Sequence, residues 1–298
     1  MSRVAQHSGR AIALMMAGVC MLALMDVAFK LLVAHYSSMQ VVFLRCAVSA
    51  AVFFVWILVT GRQQFKTAYP LGHLIRGIIG LGMLYTVGEC FRELHLPDAY
   101  AIFFAAPLLI TLLAGPVLGE PAGPLRILAA MAGFSGVLLV LKPTGAGWIS
   151  YGGVMGLLAV VCYAATVMLL RRIGEKDNSV TIAFWFTALI GVGSAFVAIP
   201  GWRDVAAEHW TLVAVLGVSG TLGQVALTAA FRRAPVAVLA PFDYTHMIWA
   251  VIYSYLIWGF LPTGRTWVGA SIVVASGLFV LYREQRAKRR AREAIGKA

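Results

Sequence analysis

Apolar stretches of membrane-crossing length follow one another along this chain with almost no interruption. They recur from about residue 10 to residue 283, separated only by short polar loops. A helix needs about 20 mainly apolar residues to cross the core of a bilayer. Of the 298 residues, 61% are hydrophobic and 12% charged, against roughly 45–50% and about 25% in soluble globular domains. A soluble fold of this length could not hide so much apolar surface behind so little polar cover, so lipid must cover it. Strands of a membrane barrel would be shorter and would alternate in polarity. No such alternation is present, and the spans are read as helices.

The expected fold is therefore an all-α membrane protein of ten transmembrane helices. The spans are placed at about 10–34, 38–60, 71–92, 97–118, 123–142, 150–172, 179–200, 210–232, 236–258 and 264–283. The first apolar run, Ala11 to Met25, lacks an A-x-A-like cleavage site and continues through Asp26 to about Val33. It reads as a retained span and not as a signal peptide.

The net charge of +12 follows the loops and does not point to nucleic acid. With the N-terminus inside, the inside segments hold eighteen basic residues, seven of them in the tail from Arg283 onward; the outside segments hold four: Arg92, Lys142, Arg203 and Arg265. This bias places both termini in the cytoplasm. Residues 284–298 form a basic tail suited to anionic lipid headgroups. Cys20, Cys46, Cys90 and Cys162 lie in or beside apolar stretches, without metal-binding spacing, and read as packing residues.

The chain also resembles itself. Pro97, Gly119 and Gly136 correspond in context to Pro235, Gly259 and Gly277, at spacings of 138, 140 and 141 residues. Residues 1–142 and 148–283 thus read as two copies of a five-helix unit. Five is odd, so the second copy must be inverted. Inverted repeats are a recurring build of secondary transporters, with the substrate site near mid-membrane between the halves.

The motifs FLRCAVSA around Arg45, RGIIGLGMLY from Arg76-Gly77, LPDAYAIFFAAPLLITLLAGPVLGE ending in Gly119-Glu120, and GFSGVLLVLKP resemble the EamA-type permeases of the drug/metabolite transporter superfamily. The second half matches more loosely, with Phe260 where the first copy has Glu120. Among members, the chain is similar to bacterial amino-acid exporters, including the aromatic amino-acid exporters of the YddG type. The resemblance implies a secondary transporter that exports small metabolites across the inner membrane by alternating access. Neutral or aromatic amino acids are the first expectation; S-adenosylmethionine or a nucleoside is the alternative. The implied partners are a small-molecule substrate and membrane lipids, with no nucleic acid and no cofactor.

Charged groups within spans are costly, about 2.5–3.5 kcal/mol at a helix centre on insertion scales, so each should face a partner or water. Asp26 and Lys30 are one turn apart on span 1, and Arg45 enters span 2 at similar depth. They form either a structural clip between spans 1 and 2 or a border of the substrate path. Asp243, His246, Ala250 and Tyr253 share a stripe of span 9, beside Tyr244 and Trp249. His246 is either a packed residue or a titrating one. Tyr85 with Glu89, Tyr100 with Phe103 and Pro107, Tyr163 with Thr166, and Gln224 with Thr228 each share a helix face. If these faces converge, they would wall an aromatic cavity with a few polar groups. Pro107, Pro116 and Pro241 can kink their helices and free backbone carbonyls.

One enzymatic pattern competes. Gly217-Val218-Ser219-Gly220 is a literal G-x-S-G, as found around the nucleophile of rhomboid-type intramembrane serine proteases, and His246 lies on the next span. Gly and Ser are abundant in membrane helices, and the chain-wide resemblance is to transporters. No selectivity-filter sequence or phosphate-binding loop is present.

The charge bias has a direct test. On a cysteine-free background, a cysteine at Gly145 should label from outside and one at Asp177 from inside. Labelling of both from one side would contradict the ten-span order.

Overall fold

Twelve α-helices make up the computed structural model. It describes the backbone of residues 2–60, 66–118, 123–141, 150–173, 177, 179–231, 233 and 236–295. The helices are α1 (Ser2–Val33), α2 (Ser38–Thr60), α3 (Pro70–Glu93), α4 (Leu96–Phe103), α5 (Ala106–Leu118), α6 (Pro124–Leu141), α7 (Tyr151–Ile173), α8 (Ser179–Ala198), α9 (Trp210–Phe231), α10 (Val236–Asp243), α11 (His246–Trp258) and α12 (Gly264–Ile295). No strand occurs among the described residues. Among the described residues seven helical stretches are long and apolar enough to cross a membrane, and Ser38–Val52 and Ile127–Leu141 are shorter apolar helices. Large apolar side chains stand on the surface, Phe196 at 73% and Leu256 at 71% exposure, where lipid would cover them.

Two stretches read from sequence as single spans are broken in the middle. Residues 97–118 divide into α4 and α5, and 236–258 into α10 and α11. Pro107 is the second residue of α5. It has no N–H, and its ring keeps the Phe103 carbonyl out of the helical ladder. The Ala105 N–H turns instead to Ile102 O at 3.0 Å. The second break does not sit at Pro241, which lies inside α10. It sits at Tyr244–Thr245, where the Thr245 N–H and hydroxyl both donate to Phe242 O, at 3.1 and 2.6 Å. Three-residue bonds of this kind tighten the chain locally and interrupt the α-helix.

Glycines set the helix pairing. Gly18 on α1 packs on Leu227 and Gly223 of α9, and one to two turns further along α1 Met25 meets Gly220. The two helices therefore run antiparallel. By the same logic α3 runs antiparallel to α7, with Gly72 near Ile173, Cys90 near Gly156 and Glu93 near Gly152. The pair α6 and α12 is antiparallel too, because Gly133 meets Ser276 while Gly136 meets Gly269. α2 lies along α8, with Cys46 against Gly191.

The upper end of the bundle, which carries Val33, is densely tied. Lys30 Nζ donates to Phe91 O and Leu94 O at 2.5 and 2.8 Å, closing the C-terminus of α3. The Gln40 amide holds the Arg203 backbone from both sides, at 2.5 and 3.1 Å. Tyr36 Oη meets His209 Nδ1 at 2.8 Å. Glu93 accepts the Gly152 N–H at 2.6 Å, and Asp98 accepts the Thr266 hydroxyl at 2.5 Å. His95 stacks on Phe260 with ring centroids 3.6 Å apart. Burial and the nearby Lys30 charge push the His95 pKa down, against the pull of Asp98. At the lower end Asp177 takes the Thr67 hydroxyl at 2.5 Å, the Ala68 N–H at 2.9 Å and His73 Nε2 at 2.8 Å. Burial raises the Asp177 pKa, but these donors outweigh it and hold the carboxyl below its usual range.

The Asp177 side chain is only 4% exposed, so a thiol reagent reaches it poorly. Ala68, exposed at the same end, is the better lower-end labelling site; Gly145 lies outside the described residues. The glycine contacts also make a stability prediction. A methyl group on Gly269 would meet Gly136 O at 2.6 Å and Val140 Cγ2 at 2.5 Å. Gly269→Leu should destabilise the purified protein by about 1–3 kcal/mol, as overpacking does, read as a lower melting temperature in detergent. Gly82→Leu, which meets nothing within 4 Å, should leave it unchanged.

Candidate functional site

The two helix breaks bring α4 and α11 together, and a polar cluster gathers there. Tyr100 is 6% exposed and donates its hydroxyl to Asp26 Oδ2. Its ring stacks on His246, with centroids 5.3 Å apart at 24°. His246 Nδ1 lies 3.2 Å from Asp243 O and 3.5 Å from Asp243 Oδ1. The charges of His246 and Arg45 both act on Asp26. One chain of groups thus links α2, α1, α4, α11 and α10 at mid-bundle. Asp26 is partly buried and has a hydrogen-bond donor and two basic groups near it, the arrangement a carboxylate needs in a low dielectric.

Helix geometry shows which side of the bundle each group faces. On α7 the exposed residues Tyr151, Val154, Leu158 and Val161 form one stripe. Tyr163 is two residues beyond Val161 and so points about 200° away from it. Its 46% exposure is therefore to the interior and not to lipid. The charges of Asp243 and Arg76 both reach it. On α3, Leu71, Leu74, Ile75, Ile78 and Tyr85 form the exposed stripe. Tyr85, at 42% exposure, belongs to that lipid-facing stripe and not to the interior wall expected of it. Its phenol pairs with Tyr151 on the matching stripe of α7.

The remaining expected site residues divide. Phe103 packs on Tyr100 and Phe91 at 6.1 and 5.8 Å and belongs to the wall behind the cluster. Tyr244 packs edge-on to Phe104 at 5.0 Å, and its buried hydroxyl sits against Gly277 without a hydrogen-bond partner. Trp249 stacks on Tyr253 at 6.0 Å and packs against the small core of Ala11, Met15 and Val19. Thr166 is buried and donates to Tyr163 O. Gln224 is exposed and accepts the Thr228 hydroxyl on its carbonyl. Asp26 and Lys30 do not clip α1 to α2 as a pair: Asp26 turns to α4 and Lys30 to the end of α3. The residue that sequence reasoning left out of the candidate site is Arg76, named there as the opening of a family motif and counted among the inside charges. Its signal was an arginine nearly two turns inside an apolar helix.

Ser219, the serine of G-x-S-G, donates to Val215 O of its own helix at 2.5 Å. The flanking Gly217 and Gly220 pack against Val48 and Met25, so the motif serves helix packing. An apolar groove of about 570 Å³ runs between α2 and α8, lined by Phe43, Ala47, Phe54 and Phe196. It opens on the lipid-facing side, away from Asp26 and His246.

Comparison with known proteins decides the family. The profile of the EamA-like transporter family matches residues 9–142 and again residues 150–282. This chain belongs to the EamA-like transporter family. It is a multi-spanning membrane transporter of that type. Among its EamA relatives, a riboflavin transporter of Vibrio cholerae is 26% identical over 87% of this chain and 90% of its own. An S-adenosylmethionine uptake transporter of Rickettsia conorii is 28% identical over 90% and 91%. A pseudopaline exporter of Pseudomonas aeruginosa is 26% identical over 80% and 84%. A crystal structure at 17% identity superposes with a TM-score of 0.62, covering 96% of this chain and 99% of the other, and shares the fold.

The Tyr100–Asp26 bond can be tested within this family frame. Tyr100→Phe removes the donor and leaves a partly buried carboxylate short of a partner, which costs up to about 1–3 kcal/mol. The melting temperature should fall, and substrate flux with it. Asp26→Asn in the same chain should recover most of the lost stability, because the mismatch is then gone.

Proposed function

We propose that this EamA-family protein is a secondary transporter that exports small metabolites combining a bulky apolar or aromatic body with charged groups. Aromatic and other neutral amino acids are the first members of that class, and S-adenosylmethionine is the second. The observation that carries the reading is the wall formed at the helix breaks. The stacked rings of Tyr100 and His246 stand between two carboxylates, Asp26 and Asp243, with Tyr163 opening onto the same interior. Such a wall suits a solute that is apolar on one face and charged at its end. The alternative substrate draws support from a different source, the S-adenosylmethionine transporters among the relatives.

The proposed topology is ten spans in the inner membrane, with both termini and the tail 284–298 cytoplasmic. Its basis is the charge bias, together with the double family match. We propose that residues 1–142 and 148–283 are inverted copies. In support, exchange of the halves carries the pair α1–α9 onto α7–α3 and leaves α2–α8 and α6–α12 unchanged. The breaks at Phe104 and Tyr244 also stand 140 residues apart, the offset that separates Gly119 from Gly259.

The test is transport by purified protein in liposomes. Phe, Tyr, Trp, Met, S-adenosylmethionine, riboflavin and a nucleoside are each offered inside the vesicle. Flux of an amino acid or of S-adenosylmethionine supports the proposal; flux of riboflavin or the nucleoside alone overturns it. His246→Gln then separates two mechanisms. If His246 carries a coupled proton, a pH gradient no longer drives net flux while exchange at equal pH survives. If it only lines the path, both assays weaken together.

A further inference from the structure

The charges inside the bundle do not balance, and the imbalance is at Arg76. Asp26 has Tyr100, His246 and Arg45 around it. Asp243 has His246 at 3.5 Å. Lys30 is held by two backbone carbonyls, and Arg92 by Tyr36 O at 3.1 Å and Glu89 at 3.7 Å. Among the described residues no hydrogen bond leaves the Arg76 guanidinium, and its Nε and Nη1 are buried without a partner. Its only close contact of this kind is a face, the Phe186 ring on α8, whose centroid lies 3.9 Å away. Two residues before Ile78 on the lipid stripe, Arg76 points about 200° from it, into the interior. Its charge reaches Tyr163 there.

An arginine that served only as a topology signal would extend its nitrogens to the water at the membrane edge. Arg76 instead sits over the Phe186 ring, with Nε and Nη1 withdrawn from solvent. Leaving charged donors buried and unpaired is costly, and an anion that entered the interior would offset that cost. An aromatic face holds a guanidinium without occupying its N–H groups, which stay available to an oxyanion.

We propose that Arg76 is the anchor for the substrate's carboxylate, a specificity-determining residue of the transport site. The inference rests on the proposed function and narrows it: the cargo is a carboxylate-bearing, ring-bearing molecule, with its ring near Tyr163 and Tyr100. Riboflavin, which has no carboxylate, falls outside that class.

The experiment measures ligand-induced thermal stabilisation of the full-length purified protein in detergent. Phenylalanine is compared with phenylalaninamide, S-adenosylmethionine with its decarboxylated form, and phenylacetate with phenylacetamide. For wild type, at least one acid should bind tighter than its partner lacking the carboxylate by about tenfold to a hundredfold, the range of a charge-assisted hydrogen bond. Arg76→Gln should abolish that preference. Arg76→Lys should keep it in weakened form, which a purely structural arginine would not do. The wild-type comparison stands even if the Gln variant does not fold. Equal stabilisation by acid and amide, no stabilisation by any acid, or an acid preference that survives in Arg76→Gln would each overturn the anchor. The liposome panel judges the substrate reading separately: flux of phenylalanine with no acid preference sinks the anchor alone. Preference for phenylacetate without flux of any amino acid or S-adenosylmethionine sinks the substrate reading alone.

Discussion

Asp26 stands inside the helix bundle, and a carboxylate in such a place is tolerated only with donors fixed around it. The Tyr100 hydroxyl is the nearest of them. To deliver that hydroxyl, α4 must end just beyond Tyr100, at Phe103, so that its phenol is held beside α1 and not carried past it on a continuous rod. To place His246 over the Tyr100 ring, the partner stretch must break at Tyr244–Thr245 as well. The two interruptions and the charge cluster are thus one arrangement. Broken backbone is permitted at membrane depth only where protein or a water-lined interior satisfies it. Here the three-residue bonds and the Thr245 hydroxyl do so.

Around this centre the helices are joined mainly between halves, not within them. α1 lies on α9, α3 on α7, α2 on α8 and α6 on α12. Small residues let these pairs approach: the Gly136 and Gly269 backbones touch, as do those of Gly18 and Gly223. Pairs of smooth, glycine-faced helices can slide or tilt without unpicking interlocked side chains. The polar bonds are concentrated elsewhere, at the upper end, where Gln40–Arg203, Tyr36–His209, Glu93–Gly152 and Asp98–Thr266 each join the first half of the chain to the second. The lower end has the Asp177 cluster with Thr67, Ala68 and His73. A transporter that alternates must break one such set while the other forms.

Sequence showed the helices clearly because lipid imposes a long apolar run on each, and the loops are short. The helix breaks were harder to see. Pro107 marks the first correctly, whereas Pro241 points to the wrong residues, because the second break depends on a Thr hydroxyl competing for a backbone carbonyl. Tyr100, Asp243 and His246 were legible as polar groups at helical spacing, and the structure brings them together. Tyr85 was misread for a physical reason: a tyrosine at the edge of a lipid-facing stripe and one lining an interior look alike in sequence. Only the exposure of its neighbours Leu74 and Ile78 separates them. Gly119 and Glu120, which carry part of the family resemblance, lie outside the described residues.

Arg76 and Arg45 illustrate how a residue type changes meaning with its surroundings. Both point away from lipid, Arg45 standing half a helical turn from exposed Phe54 and near Gly220 on α9. Arg45 lies within electrostatic reach of the Asp26 carboxylate. Arg76 lies against an aromatic ring, which attracts a cation through its face but offers no acceptor to the N–H groups. A ring of this kind orients a guanidinium without satisfying it. Among the described residues Arg76 therefore stands in the interior with two of its donors in want of an acceptor, within electrostatic reach of Tyr163.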